Sequence, residues 1–271
     1  MPAWRRILVA GAAGGIGAAA TTALTAAGHE VVATDVRVDA LPVEAALRLP
    51  LDVLDDASIK AALVAAGPVD GLVCCVGRSY WTPVEVPDRA ALEGAFALNV
   101  IGPMQLARAV LPDLRARGDG LIAMLSSGAG RMTTPLVGWY AATKNALEAA
   151  CEALRYEVGH LGVRVAVVEP GAIATDIAAR RWWAESRDPY YAWLIPHLVA
   201  ALGRKNADPA PVAGLAELIV RLVEDPAPRF RWPYPQSTAT AIRLRLDSPD
   251  HEVEARVRAQ LDMPAVPPPI E

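Results

Sequence analysis

The sequence predicts a three-layer α/β fold: a doubly wound parallel sheet with helices on both faces, formed as one domain over residues 1–271. Three observations carry this. Short β-branched runs alternate with Ala/Leu-rich helical stretches as far as Pro170. One of the runs is almost wholly apolar, as a strand covered on both faces must be. A glycine-rich turn joins the first run to the first helix.

Residues 6–10 (RILVA) form the first strand, followed by a helix over 15–27. Residues 30–35 (EVVATD) form the second strand and 46–51 (ALRLPL) the third, joined by a connection too short for a full helix. A helix follows over 55–66, with Asp55 or Asp56 at its N-cap. Residues 69–76 (VDGLVCCV) are a buried strand, and 88–117 a long helical region interrupted at Gly102-Pro103. Strand 121–125, helix 138–159 and strand 163–168 continue the alternation. Strand–helix–strand repeats of this kind require right-handed crossovers and hence a parallel sheet. Beyond Pro170 the pattern changes to an aromatic-rich stretch, an amphipathic helix over 209–224, a last strand over 229–232 and a surface helix over 249–261. The proline-rich tail 264–271 is expected to fray.

Hydrophobic residues make up 53% and charged residues 21%, which excludes a disordered or fibrous chain. A net charge of −4, without basic runs, gives nucleic acid no footing. Three unpaired cysteines (Cys74, Cys75, Cys151) suit a reducing cytoplasm, and four scattered histidines offer no metal site. The uncharged stretch 7–28 after Arg5-Arg6 has the outline of a secretory signal. Its Ala, Gly and Thr content drives it only weakly into lipid, so no membrane partner is expected.

The turn Gly11-Ala12-Ala13-Gly14-Gly15-Ile16-Gly17 permits a tight bend and close backbone approach. The helix N-terminus that follows offers free N–H groups to a pyrophosphate, as in a Rossmann dinucleotide site. Asp35, ending the second strand, is placed to accept hydrogen bonds from an adenosine ribose and to repel the extra phosphate of NADP. The expected cofactor is therefore NAD, with Arg37 the one residue that speaks for NADP.

Tyr140 and Lys144 stand four residues apart in a helix, so phenol and ammonium share one face. Tyrosine ionises near ~10 and needs a cationic neighbour to act as a base near neutrality. Only three lysines occur in the chain, which gives weight to one at this spacing.

With these motifs the chain resembles the short-chain dehydrogenase/reductase family, in its small single-domain branch, from about Arg5 to Thr175. The resemblance implies a Rossmann fold and a chain of roles. Gly11, Gly14, Gly15, Ile16, Gly17, Asp35, Asp52, Val53, Gly77, Pro170, Gly171 and Thr175 would bind the dinucleotide, together with Tyr140 and Lys144. Ser127, thirteen residues before Tyr140, would hold the substrate oxygen. Tyr140 would transfer the hydroxyl proton, Lys144 would lower its pKa, and Asn99 would complete a proton path to solvent.

Two positions depart from the family pattern. Cys74-Cys75-Val76-Gly77 replaces the usual asparagine-containing segment, and Ala10 replaces a threonine. The resemblance also implies a homodimer or homotetramer paired through helices over 101–114 and 147–156, and a substrate lid over about 176–204. In that lid Trp182, Trp183, Tyr190, Tyr191 and Trp193 would wall a hydrophobic pocket for a ring-shaped secondary alcohol or ketone, steroid-like or aryl. The competing reading has these aromatics packing the lid itself or a subunit interface. For the whole protein the alternatives are an NADPH-dependent biosynthetic ketoreductase and a non-catalytic dinucleotide-sensing module.

Overall fold

The alternating pattern produces a parallel sheet of seven strands. They are β1 (Arg6–Ala10), β2 (Glu30–Asp35), β3 (Leu47–Pro50), β4 (Gly71–Cys74), β6 (Gly120–Leu125), β7 (Val163–Pro170) and β9 (Arg231–Tyr234). Their spatial order is β3-β2-β1-β4-β6-β7-β9, every pair parallel. The computed structural model describes residues 5–175, 182–183 and 189–263. The tail 264–271 and lid residues 176–181 and 184–188 lie outside these.

Period-two alternation decides which residues enter which layer. On β1, Leu8 and Ala10 pack with α2 (Asp56–Ala66), α4 (Gly102–Arg117) and α5 (Gly138–Val158). Ile7 and Val9 face α1 (Gly15–Ala26) and α7 (Val212–Glu224) on the other side. Both faces are apolar, which is why the central strands read as continuous hydrophobic runs. Leu147 and Cys151 of α5 are buried in the first of these layers, so they face the core.

Four elements differ from the sequence reading. The fourth strand is shorter, because Cys75–Gly77 leave the ladder once Cys75 N–H has bonded the Ala10 carbonyl (2.8 Å). The break in the long helical region is a π-helical segment, Ala97–Ile101, lying between α3 (Arg89–Phe96) and α4. Gly102 and Pro103 sit just after it, in the first turn of α4. Pro103 has no N–H to offer the Asn99 carbonyl four residues back, which is the bond an unbroken α-helix would need. By length and composition the run Arg89–Arg117 is apolar enough to cross a membrane. Its Leu106, Val110 and Leu114 are instead buried against the sheet.

The last strand is displaced two residues along the chain, and its Pro233 is accommodated because β9 is a sheet edge. The fourth difference is an added helix, α8 (Gln236–Asp247), followed by α9 (Asp250–Gln260). A second, two-stranded sheet joins β5 (Tyr80–Trp81) to β8 (Trp182–Trp183). It ties Trp182–Trp183 to the segment that leaves β4. Helix α6 (Pro189–Lys205) is packed through Leu198, Ala201 and Leu202 against Leu136 and Leu261.

Candidate active site

Where β1 and β4 lie side by side the direction of winding reverses, and a crevice opens at the carboxyl ends of the strands. A cleft of about 310 Å³ occupies it. Gly11, Gly14, Gly15, Ile16, Gly17, Asp35, Asp52, Val53, Gly77 and Thr175 all line it, joined by Arg37, Cys75, Leu98 and Leu125. Pro170 and Gly171 are not among its lining residues, although they lead to Thr175. A larger hollow between α2 and α4 is lined by Lys60, Arg108, Asp113 and aliphatic side chains, and contains none of the predicted site residues.

The floor of the cleft suits an anion. Helix α1 begins behind Gly14 with no side-chain cap and no acidic residue in its first turn, so no side chain of its own first turn offsets its N-terminal potential. At the far wall Asp35 Oδ1 accepts from the Arg37 N–H (3.0 Å) and Oδ2 from the Ala13 N–H (3.2 Å). The Arg37 guanidinium folds back, its Nη2 donating to the Ala13 carbonyl (2.8 Å) and its Nε 3.6 Å from Asp35. At the other end, the buried Thr175 Oγ1 has no hydrogen-bond partner among the described residues. An open helix terminus, a carboxylate and an orphaned hydroxyl along one cleft fit a dinucleotide from pyrophosphate to carboxamide.

The catalytic candidates converge beside this cleft. Ser127, just past the end of β6, sits beside the Tyr140 hydroxyl, where its own hydroxyl favours the phenolate. Its Oγ also accepts from the Ala129 N–H (3.1 Å) and lies 3.4 Å from the Pro170 carbonyl. Lys144 is buried, donates to the Leu125 carbonyl (2.8 Å), and has its Nζ 6.0 Å from the Tyr140 ring centroid. Burial pushes Tyr140 above its usual pKa, and the Ser127 hydroxyl opposes that. Burial likewise lowers Lys144, to about 8, against the nearby negative groups that favour its charge. In this geometry the phenol is not yet the acid of lowered pKa that the sequence suggests, because desolvation outweighs the Ser127 interaction.

Asn99 is fully buried within the π segment. Its side chain is saturated: Oδ1 accepts from the Arg78 N–H (2.9 Å), while Nδ2 donates to the Arg78 carbonyl (2.9 Å) and to Thr143 Oγ1 (3.1 Å). Thr143 in turn donates to the Tyr140 carbonyl (2.8 Å). The side chain of Asn99 therefore clamps the loop after β4 to α5.

Of the five aromatic substrate candidates, the side chains of Trp182, Trp183 and Tyr190 lie outside what is described. Tyr191 donates a short hydrogen bond to Glu85, and Trp193 lies 6.3 Å from His197, ring to ring, on α6. Neither lines the dinucleotide cleft. Sequence reasoning missed the contacts of Tyr80–Trp81 with the lid and a buried ionic cluster behind Ser127. A charged residue on the apolar face of α5, Glu148, was the available signal for the cluster.

Glu169, beside Pro170 on β7, belongs to that cluster, and burial together with the Glu148 charge pushes its pKa up to about 7. From its ordinary 4.5 to about 7 the folded protein therefore holds a proton that the unfolded chain has released. The stabilisation from this group is complete below that window and is lost as pH rises through about 7. Thermal unfolding should show Glu169→Gln gaining on the wild type as pH rises from about 5 to about 8. A gap that does not change with pH would contradict this.

The comparisons with known proteins agree with this geometry. A family profile described as short chain dehydrogenase matches residues 5–185. The glycine betaine reductase ATRR of Emericella nidulans is 36% identical over 199 residues, 68% of this chain but 15% of that protein. Human (Homo sapiens) 17-beta-hydroxysteroid dehydrogenase type 1 is 30% identical over 213 residues, 74% of this chain and 64% of the relative. This chain thus spans only part of the length of either relative. The crystal structure of a short-chain dehydrogenase from Streptomyces avermitilis superposes with a TM-score of 0.80 at 29% identity, covering 96% of this chain and 98% of that one.

Proposed function

The chain belongs to the short-chain dehydrogenase family, and from that premise we propose that it transfers a hydride between NAD(H) and a hydrophobic secondary alcohol or ketone. The observation that carries the proposal is the convergence of Ser127, Tyr140 and Lys144 beside a cleft shaped for a dinucleotide. Gly11 to Gly17 would hold the pyrophosphate, Asp35 the adenosine ribose, Asp52 and Val53 the adenine, and Thr175 with Pro170 and Gly171 the carboxamide end. A nicotinamide bound there supplies the hydride acceptor or donor.

The chain's own residues handle the proton. In oxidation the alcohol proton passes to the Tyr140 oxygen as the carbonyl forms, and in reduction it returns from that oxygen to the new alkoxide. Ser127, beside Tyr140, would turn its single hydroxyl proton to the substrate oxygen and stabilise its developing charge. Lys144 is the one cation near the phenol among the described residues, and it favours the phenolate. Asn99 holds the loop and helix in register.

NAD is favoured over NADP because the Asp35 carboxylate, lining the cleft at the end of β2, would repel a 2′-phosphate. Arg37 supports the NADPH-dependent alternative, yet it is bound to Asp35 and to the Ala13 carbonyl. Asp35→Ala should free Arg37 and shift the ratio of kcat/KM toward NADP by about tenfold or more, since one removed like charge is worth that much. Steady-state kinetics with both nucleotides measures it, and an unchanged ratio would remove Asp35 from the cofactor site.

The similarity to a steroid dehydrogenase supports a ring-shaped apolar substrate, met by the lid aromatics and by the small sheet between β5 and β8. We place the protein in the cytoplasm, where its three free cysteines, two of them buried, stay reduced. We assign it one domain and pairing through α4 and α5, with Ile101 exposed just before α4 and Tyr156 exposed on α5. A panel of hydrophobic alcohols and ketones with NAD(H) tests the reading. Turnover of sugars or acyl thioesters, with none of these, would overturn it.

A further inference from the structure

Three consecutive residues at the end of β6 are tied to three successive turns of one face of α5. Leu125 accepts from Lys144, Ser126 donates to Glu148 (2.5 Å), and Ser127 meets Tyr140. Tyr140, Lys144 and Glu148 follow one another at four-residue spacing, so their side chains rise from the same stripe of the helix. The turn after Ser127 rests on this carboxylate: a Cβ on Gly130 would lie 2.4 Å from Glu148 Oε1, and Asn145 donates to the Gly130 carbonyl (3.0 Å).

Glu148 is itself held from behind. Its side chain is 2% exposed and pairs closely with Arg231 of the edge strand β9. Arg231 also reaches Glu169 (3.2 Å) and Glu152 (3.0 Å). Desolvating such a group is costly, and a buried ion pair is a poor source of stability. Its value lies in a fixed geometry and a fixed charge, here directly behind the proton-transfer residues.

We propose that Glu148 is a positioning residue for the catalytic site: fixed by Arg231, its carboxylate pins Ser126 and so the loop presenting Ser127, and supplies the counter-charge that keeps the buried Lys144 an ammonium. This rests on the dehydrogenase reading for its consequence in turnover, but not for its effect on Lys144. Around Lys144 the other groups are Tyr140, Cys74, Cys75 and Cys151. The three thiols have pKa values pushed up to about 11, 12 and 12, so they are neutral where the lysine titrates. Behind Glu148 stand Arg231, Glu152 and Glu169, and Arg131 faces Glu169.

The chain has three lysines (Lys60, Lys144, Lys205), so 13Cε-lysine labelling with Lys60→Arg and Lys205→Arg controls reads Lys144 alone in an NMR titration. Glu148→Gln keeps an acceptor for Ser126, removes the charge, and leaves Arg231 with two carboxylates. The Lys144 midpoint should fall by about one unit in this variant and stay unchanged in Ser126→Ala, which loses only the link to the loop. Both variants should lose about tenfold in kcat, with dinucleotide affinity by calorimetry within about twofold of wild type. A wild-type Lys144 midpoint in folded Glu148→Gln, or a wild-type kcat in Ser126→Ala, overturns the proposal. Should Glu148→Gln not fold, the Ser126→Ala kinetics decide. Should the unaltered protein turn over no alcohol or ketone, the dehydrogenase reading fails by itself, and the lysine titration still decides the role of Glu148.

Discussion

A Tyr140→Phe enzyme is expected to lose about a thousandfold in kcat while binding the dinucleotide as the wild type does. The substitution removes one oxygen and leaves the ring. Ring packing is therefore kept, and the interaction lost is the one with the neighbouring Ser127 hydroxyl. A thousandfold corresponds to about 4 kcal/mol of transition-state stabilisation. That is more than a neutral hydrogen bond contributes, about 1 kcal/mol. The size of the loss thus separates a proton-transfer group from a mere substrate anchor. Single-turnover kinetics with bound nucleotide, alongside calorimetric affinity, makes the measurement. Full activity in the variant would refute the mechanism. A wild type that binds NAD tightly and turns over nothing would favour the sensing module.

Much of this was legible in the sequence because it is local. Strands buried on both faces must be apolar throughout, and the glycine turn, Asp35 and the Tyr140–Lys144 pair each lie within a few residues of one another. The third strand, the short connection before it and the cap at Asp55 follow from the same kind of signal; Asp55 Oδ1 accepts from the Ala57 N–H at 2.8 Å. What was missed depends on distant partners. The side chain of Asn99 is fixed by the backbone of Arg78, twenty-one residues away. Arg231 and Glu148 are eighty-three residues apart. Helix α8 carries Ser and Thr near its start and alternating leucine and arginine near its end, and buries only Thr238 and Ile242, too little for a visible stripe. The aromatics after Thr175 announced bulk but not direction. Tyr191 turns to Glu85, and the segment is tied down through β5 and β8.

Gly17→Ala should be the most damaging single change at the cofactor end, and the reason is proximity. A Cβ there would stand 2.2 Å from the Gly11 carbonyl oxygen, 2.8 Å from its carbon and 2.9 Å from Ala12 Cα. These are backbone atoms of the tight turn and no rotamer change relieves them, so helix α1 must lift off the turn. Overpacking against backbone costs about 3 kcal/mol, at the upper end for a buried methyl. Because the same N-terminal groups would hold the pyrophosphate, dinucleotide affinity should fall by about a hundredfold or more. Gly28→Ala is the matching control. Gly28 has φ +90° with nothing within 4 Å of its Cβ, so the change costs only left-handed strain, about 1–2 kcal/mol. Both variants should melt lower than wild type, but only Gly17→Ala should lose affinity in calorimetric titration with NAD. Equal affinity in the two would mean that the Gly11–Gly17 turn serves the fold alone, and the cofactor would have to be sought elsewhere in the chain.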